Sequence, residues 1–254
     1  MKKLFNLKLL TILFFLTNFI FIGLLYFIPG EIDSLTEYDL SITAIFFSVI
    51  FAPFSEEIIY RYWAYGKNIL LQFSLFITFI IFIITDLLQS FVFYNLFQFT
   101  TSNNTNAILR NCIMLLIALF LYVLIRKSGY IIPSFFYKII QSGYTFYFII
   151  FTFTIGHLYH TEFNIDNLYN YLSYFILSYL ITRHAREYGI YFAIFFHFVN
   201  NLTSTFYEAI EVNTVSKKLI SDQFLIIYLV PTIFFITFYF TKLLKAKPLS
   251  LNQR

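Results

Sequence analysis

The chain has 254 residues, of which 59% are hydrophobic and only 12% charged, with 37 Phe and 21 Tyr. A soluble domain carries about 25% charged residues; this composition, with a mean hydropathy of +0.76, excludes the soluble, disordered, fibrous and nucleic-acid-binding classes. The net charge of +4 is distributed by topology, and the solitary Cys112 excludes a disulfide framework or a Cys-rich zinc site.

A bilayer-crossing helix needs about 20 mostly apolar residues. Eight segments meet that requirement: 8–28, 41–62, 69–99, 108–126, 140–160, 166–182, 190–207 and 223–242. The first follows Lys2 and Lys3 and lacks a small-x-small cleavage site, so it reads as a signal anchor. The third is long enough for one tilted helix or for a helix broken near Asp86. The stretch 129–143, with Gly129, Pro133, Lys138 and Gly143, reads as an interfacial lead-in to the fifth span. The runs are apolar on all sides rather than alternating, which predicts helices and not a barrel.

With the N-terminus inside, the inner segments hold 14 of the 17 basic residues, leaving only Arg110, Lys217 and Lys218 outside. That is the positive-inside pattern, with both termini cytoplasmic. The expected fold is therefore all-α: a polytopic membrane helix bundle of about eight transmembrane helices, forming a single integral domain over 1–254. Residues 1–40 would form an anchor helix and an acidic outer loop, and 223–254 the last helix with a basic cytoplasmic tail.

Segment 51–63 reads FAPFSEEIIYRYW, placing Glu56, Glu57 and Arg61 inside or at the edge of the second span. Each charge at a helix centre costs roughly 2.5–3.5 kcal/mol, against about 0.3–0.6 returned by each Ile, Val or Phe. Pairing, partial solvation or a position near the inner boundary must offset that cost. Glu57 and Arg61 are one turn apart and can pair on one helix face. Glu56 points about 100° away, without an oppositely charged partner in the helix. A buried carboxylate in that state gains proton affinity and suits a general base.

Two further spans carry matching polar groups. The fifth ends in FTFTIGHLYH, with His157 and His160. The seventh reads GIYFAIFFHFVNN, where His197 and Asn201 share a face one turn apart and Asn200 points elsewhere. A carboxylate, imidazoles and a carboxamide converging between helices would provide a base, a water-orienting group and donors for an oxyanion. Taken singly, each has a plainer reading: interhelical hydrogen-bonding for His or Asn, a structural or transport role for the Glu–Arg pair. His160 and His184 sit at loop or interface positions and read as incidental.

Together, Glu56-Glu57-x-x-x-Arg61, Phe153-x-x-x-His157 and His197-x-x-x-Asn201 resemble the three motifs of the CAAX-protease and bacteriocin-processing (CPBP, or Abi) family of intramembrane endopeptidases. Ala52-Pro53 before the glutamates and Gly189-Ile190 before His197 agree, and the resemblance covers roughly 50–205, a CPBP-like catalytic core. It implies a cavity open toward the cytoplasmic side. There, Glu56 and His157 would activate a water, His197 and Asn201 would steady the oxyanion, and Glu57 and Arg61 would orient the site. It also leaves open a zinc set of Glu56, His157 and His197. A metal-free, glutamate-activated water is the favoured reading, with no cofactor.

This chain departs from the family by inserting two spans between Arg61 and His157. A competing second motif, Phe82-x-x-x-Asp86, has shorter spacing but ends in the wrong residue. Counted from the inner boundary, Glu56 and His197 lie about two turns deep and His157 nearer four, so a fifth helix that is tilted or starts near Tyr144 is needed. HExxH, GxSG and GxGD signatures of other intramembrane proteases are absent. The expected activity is hydrolysis of a peptide bond in a hydrophobic, membrane-associated or lipidated peptide, within a bacterial cytoplasmic membrane. The partners are the lipid bilayer and that substrate, without nucleic acid; oligomeric state is not legible. The alternatives are a non-proteolytic scaffold or immunity protein of the same fold, and a proton-coupled transporter using Glu56, Glu57 and Asp86. The transporter predicts inverted repeats, and the chain shows none.

Overall fold

The computed structural model describes residues 6–27, 46–91, 103–158, 168–215 and 230–249. In chain order its elements are α1 (Leu7–Phe27), the helical run 46–65 termed α2, α3 (Ile69–Phe91), α4 (Asn103–Ser128), α5 (Ser134–Gln141), α6 (Gly143–Leu158), α7 (Leu168–Tyr188), α8 (Ile190–Val215) and α9 (Val230–Lys245). Among the described residues the fold is all-α, with no strand. Within α2, π-helical segments Phe46–Phe51 and Ile58–Tyr62 flank the α-helical segment Ala52–Glu57. The run stops where the Gly66 N–H bonds back to the Tyr62 carbonyl at 2.7 Å and Gly66 turns extended. A Cβ on Gly66 would lie 2.6 Å from the Tyr62 carbonyl oxygen, so only glycine lets the chain leave the helix here.

The chain divides into two compact units, Met1–Pro53 with Phe195–Lys247, and Phe54–Ile194 with Pro248–Arg254. In the first, aromatic rings join three helices. Phe15 of α1 meets Phe196 of α8 at 5.6 Å and Phe240 of α9 at 5.5 Å, both edge-on. Phe195 and Phe198 of α8 meet Phe238 and Phe235 of α9 in the same T-shaped way. Such pairs contribute about 0.5–1.5 kcal/mol each beyond area burial. Lys8 Nζ donates to the Leu244 and Ala246 carbonyls at 2.7 and 2.9 Å, satisfying orphan carbonyls at the C-terminal end of α9.

In the second unit α3 packs along α4, and α6 along α7. Trp63, fully buried, lies between Phe76 and Phe79. Tyr60 meets Phe79, Phe82 and Phe153 edge-on. Between α7 and α8, Gly189 adopts φ +97°, a left-handed conformation that glycine takes without Cβ strain. Its N–H closes α7 on the Ala185 carbonyl.

The expectation of eight spans is not supported by the described helices. By length and composition, the stretch Leu109–Ser128 can cross a membrane, and the pair Ser134–Gln141 and Gly143–His157, bent by 76°, passes when taken together. Leu7–Thr17 and Ile69–Ile84 are apolar but shorter. The reasons are physical: Glu56, Glu57 and Arg61 interrupt α2, Arg183, Arg186 and Glu187 close α7, and other expected spans run beyond the described residues. The acidic outer loop, His160 and the Asp86 side chain also lie outside them.

Candidate active site

The sequence spacing of α2 sets the first half of the site. Glu57 and Arg61, one turn apart, form an ion pair of 2.7 Å with both side chains fully buried. Losing one partner of such a pair costs about 3–5 kcal/mol, because the other charge is left stranded. The guanidinium is held from three further directions. Its Nε donates to Thr182 Oγ1 at 3.1 Å, its Nη2 to Ser178 Oγ at 3.3 Å, and its plane lies 4.4 Å above the Phe153 ring. Phe153 begins the second motif, so the arginine of one motif rests on the phenylalanine of the next.

Glu56, on the neighbouring face, places Oε2 3.5 Å from Nε2 of His157. Both side chains keep partial access, 19% for Glu56 and 25% for His157, whereas Glu57 and Arg61 have none. The His157 ring stacks between Phe153 at 4.1 Å and Tyr174 at 5.1 Å. Its Nδ1 donates to the Phe153 carbonyl at 2.9 Å. That bond fixes the tautomer of the neutral ring: the proton is on Nδ1 and the lone pair on Nε2. Two acceptors then face each other, a carboxylate oxygen and an imidazole nitrogen. The favourable occupants of that geometry are a shared proton or a water donating to both, with oxygen at roughly 2.6–3.2 Å from each.

The structure thus brings Glu56 to His157 and Glu57 to Arg61. The helix carrying His157 begins at Gly143, after the bend from α5. His197 and Asn201 lie on α8 in the other unit. His197 is buried, 3% exposed. The Asn201 amide donates to the Ser48 carbonyl at 2.9 Å, and its Oδ1 accepts from Asn200 Nδ2 at 3.3 Å. Asn200 therefore does not point elsewhere as expected, since adjacent carboxamides can bridge the helical offset between them. One of the two Asn201 amide hydrogens is committed to Ser48, leaving the other to donate.

His184 also departs from expectation. It is a fully buried residue of α7 rather than of a loop, and its Nδ1 donates to the Leu180 carbonyl at 2.8 Å.

Four contributors escaped the sequence reading. Ser178 and Thr182 accept from Arg61, and their one-turn spacing in an apolar helix is the only signal they offered. Asn111 donates to Ser55 at 3.1 Å, beside Glu56. Gly156 admits Tyr60: a Cβ there would stand 2.9 Å from the tyrosine hydroxyl, next to His157 and one turn from Glu56.

Of the zinc set, Glu56 and His157 lie in one unit and His197 in the other. Within the unit of Glu56 and His157 one carboxylate and one imidazole meet, fewer than the three protein ligands of a catalytic zinc. Among the described residues no group of three His, Cys, Asp or Glu side chains could hold a metal ion. No step is therefore derived through a metal. The chain matches no family model, no curated protein and no solved structure.

Proposed function

We propose that the protein is an intramembrane endopeptidase, resembling the CPBP type, that hydrolyses a peptide bond in a hydrophobic, membrane-associated or lipidated peptide. The observation that carries this reading is the 3.5 Å approach of Glu56 to His157, held by the buried Glu57–Arg61 pair. Glu56 accepts a proton from water while His157 Nε2 orients it. The water oxygen bonds to the carbonyl carbon, and the carbonyl π electrons move to oxygen. As the tetrahedral species collapses, Glu56 returns the proton to the departing nitrogen and the C–N bond breaks, giving a carboxylate and an amine. The oxyanion role of His197 and Asn201 is argued from the motif resemblance.

Membrane embedding is supported by an inverted surface. Leu116, Leu119 and Phe120 of α4, Phe151 of α6 and Phe234 of α9 are all more than half exposed, whereas Glu57, Arg61, Ser178, Thr182 and His184 are fully buried. Apolar surface on that scale faces lipid or a partner. The finer topology, eight spans with both ends cytoplasmic, is part of the same proposal. The Lys8 bonds to the end of α9 support it, because they place the start of the first helix beside the end of the last.

The test is proteolysis in proteoliposomes, with hydrophobic and lipidated peptide pools read by mass spectrometry. Glu56→Gln is expected to lower cleavage by roughly 10²–10⁴-fold with an unchanged melting profile. Equal cleavage by wild type and Glu56→Gln would remove Glu56 as base.

A further inference from the structure

Between α4 and α6 the chain makes an elbow. α4 ends in Arg126 and Lys127, Gly129 turns with φ +63°, and α5 then runs at 76° to α6. The elbow is fastened from inside. Phe136, fully buried, packs against Phe73 and Phe76 at 5.2 Å each, and Ile132 is buried beside it. The far side of the bend is closed by the Tyr144 N–H on Ser142 Oγ at 3.2 Å and by the Thr145 hydroxyl on the Ile139 carbonyl.

The outer side is a different surface. Ile131 is 87% exposed and Tyr144 85%, with Tyr130 and Phe135 both near half. Arg126, Lys127 and Lys138 are exposed in the same stretch. Among the described residues none of the three makes an ion pair, and the sequence from 87 to 161 contains no Asp or Glu. A short helix with one buried apolar face, an outer aromatic face and uncompensated basic residues has the character of an element lying in the plane of a bilayer interface. Tyr favours headgroup depth, and Lys or Arg near an anionic leaflet is attracted to it.

We propose that the elbow 126–144 is a docking surface for anionic phospholipid headgroups, with Arg126, Lys127 and Lys138 facing the phosphates and Ile131, Phe135 and Tyr144 at the acyl boundary. The inference rests on the membrane embedding proposed above and is independent of the peptidase reading. Its charge complementarity selects an anionic headgroup over a zwitterionic one.

The experiment places a tryptophan on the elbow, Ile131→Trp, and separately on the exposed face of α4, Phe120→Trp. The native Trp63 is fully buried and supplies a constant background that also reports folding. Each variant is reconstituted into phosphatidylcholine vesicles containing a minor fraction of phosphatidylglycerol or of phosphatidylcholine brominated at shallow acyl positions. Ile131→Trp is expected to be quenched roughly twofold more by the brominated phosphatidylglycerol. That preference should vanish at high salt and in the triple variant Arg126→Gln, Lys127→Gln, Lys138→Gln. Phe120→Trp should show no preference. Equal quenching of Ile131→Trp by both lipids overturns the proposal, as does no quenching there while Phe120→Trp is quenched. Quenching at neither position overturns the membrane embedding itself.

Discussion

Arg61 and His184 show two ways of burying a nitrogen base. Around Arg61, Glu57, Ser178, Thr182 and the Phe153 ring take the place of solvent. His184, two residues beyond the expected sixth span, is fully buried in α7. Burial, reinforced by the neighbouring Arg183 guanidinium, pushes its pKa down from 6.5 to about 4, although the Leu180 carbonyl works the other way. The unfolded chain therefore takes up a proton near pH 6.5 that the folded chain refuses until about 4. Stability attached to this residue is complete above pH 6.5 and is lost as pH falls through that window. The size is on the order of 3 kcal/mol. Thermal unfolding of the detergent-solubilised protein between pH 7 and pH 4 should show the decline, and His184→Leu should flatten that part of the profile. An unchanged slope in His184→Leu would assign the acid sensitivity elsewhere.

The Glu57–Arg61 pair was legible from sequence because one helix dictates both positions. The approach of Glu56 to His157 was not fixed by any local rule; it was expected only through the motif resemblance. Ser178 and Thr182 were hidden for another reason. Hydroxyls in apolar helices commonly bond to their own backbone, as Thr182 does to the Ser178 carbonyl, while Ser178 donates across to the Ile150 carbonyl of α6. Nothing in the sequence says that a guanidinium 117 and 121 residues away uses them as well.

At the scale of elements, the contact between α2 and α6 depends on a missing methyl group. Tyr60 lies in the π segment Ile58–Tyr62, and its ring is fixed by Phe79, Phe82 and Phe153. Its hydroxyl cannot retreat when a side chain is added at Gly156. Gly156→Ala should therefore destabilise by about 1–3 kcal/mol, the usual penalty of overpacking. Tyr60→Phe in the same chain should recover most of it, since the displaced atom is the hydroxyl oxygen. The thermal midpoints of the two single variants and the double variant measure this. A double variant no more stable than Gly156→Ala would show that the strain is not at that oxygen. Helix existence was readable from the apolar runs, whereas the π segments were not, because hydropathy has no feature that distinguishes one helical pitch from another. Gly129, Pro133, Lys138 and Gly143 set the stretch 129–143 apart from the fifth span in the sequence, but the 76° bend before α6 was not expected.

For the whole molecule, runs apolar on all sides specified an all-α chain, and the described residues are that. The number of crossings was less legible, because a hydropathy run records apolar content and not where a helix stops. The side on which the ends lie is testable independently of that number. Reporter fusions active only in the cytoplasm, placed at each end in turn, should both be active. One active and one silent fusion would require an odd number of crossings and would contradict the proposed topology.

The two compact units differ in how the chain supplies them. The unit holding Glu56, Glu57, Arg61 and His157 is drawn almost entirely from one uninterrupted stretch, Phe54–Ile194. The other joins the two flanks, and Lys8 reaches partners 236 and 238 residues further on. During synthesis at about 5–20 residues per second, α1 would wait on the order of ten seconds or more for α9. Over that interval the Lys8 ammonium has no helix end to cap, and the Phe15 ring has no Tyr239 or Phe240. The order of assembly is thus set by the chain's path: the stretch Phe54–Ile194 can close before α9 is made, whereas α1 cannot find its partners until then.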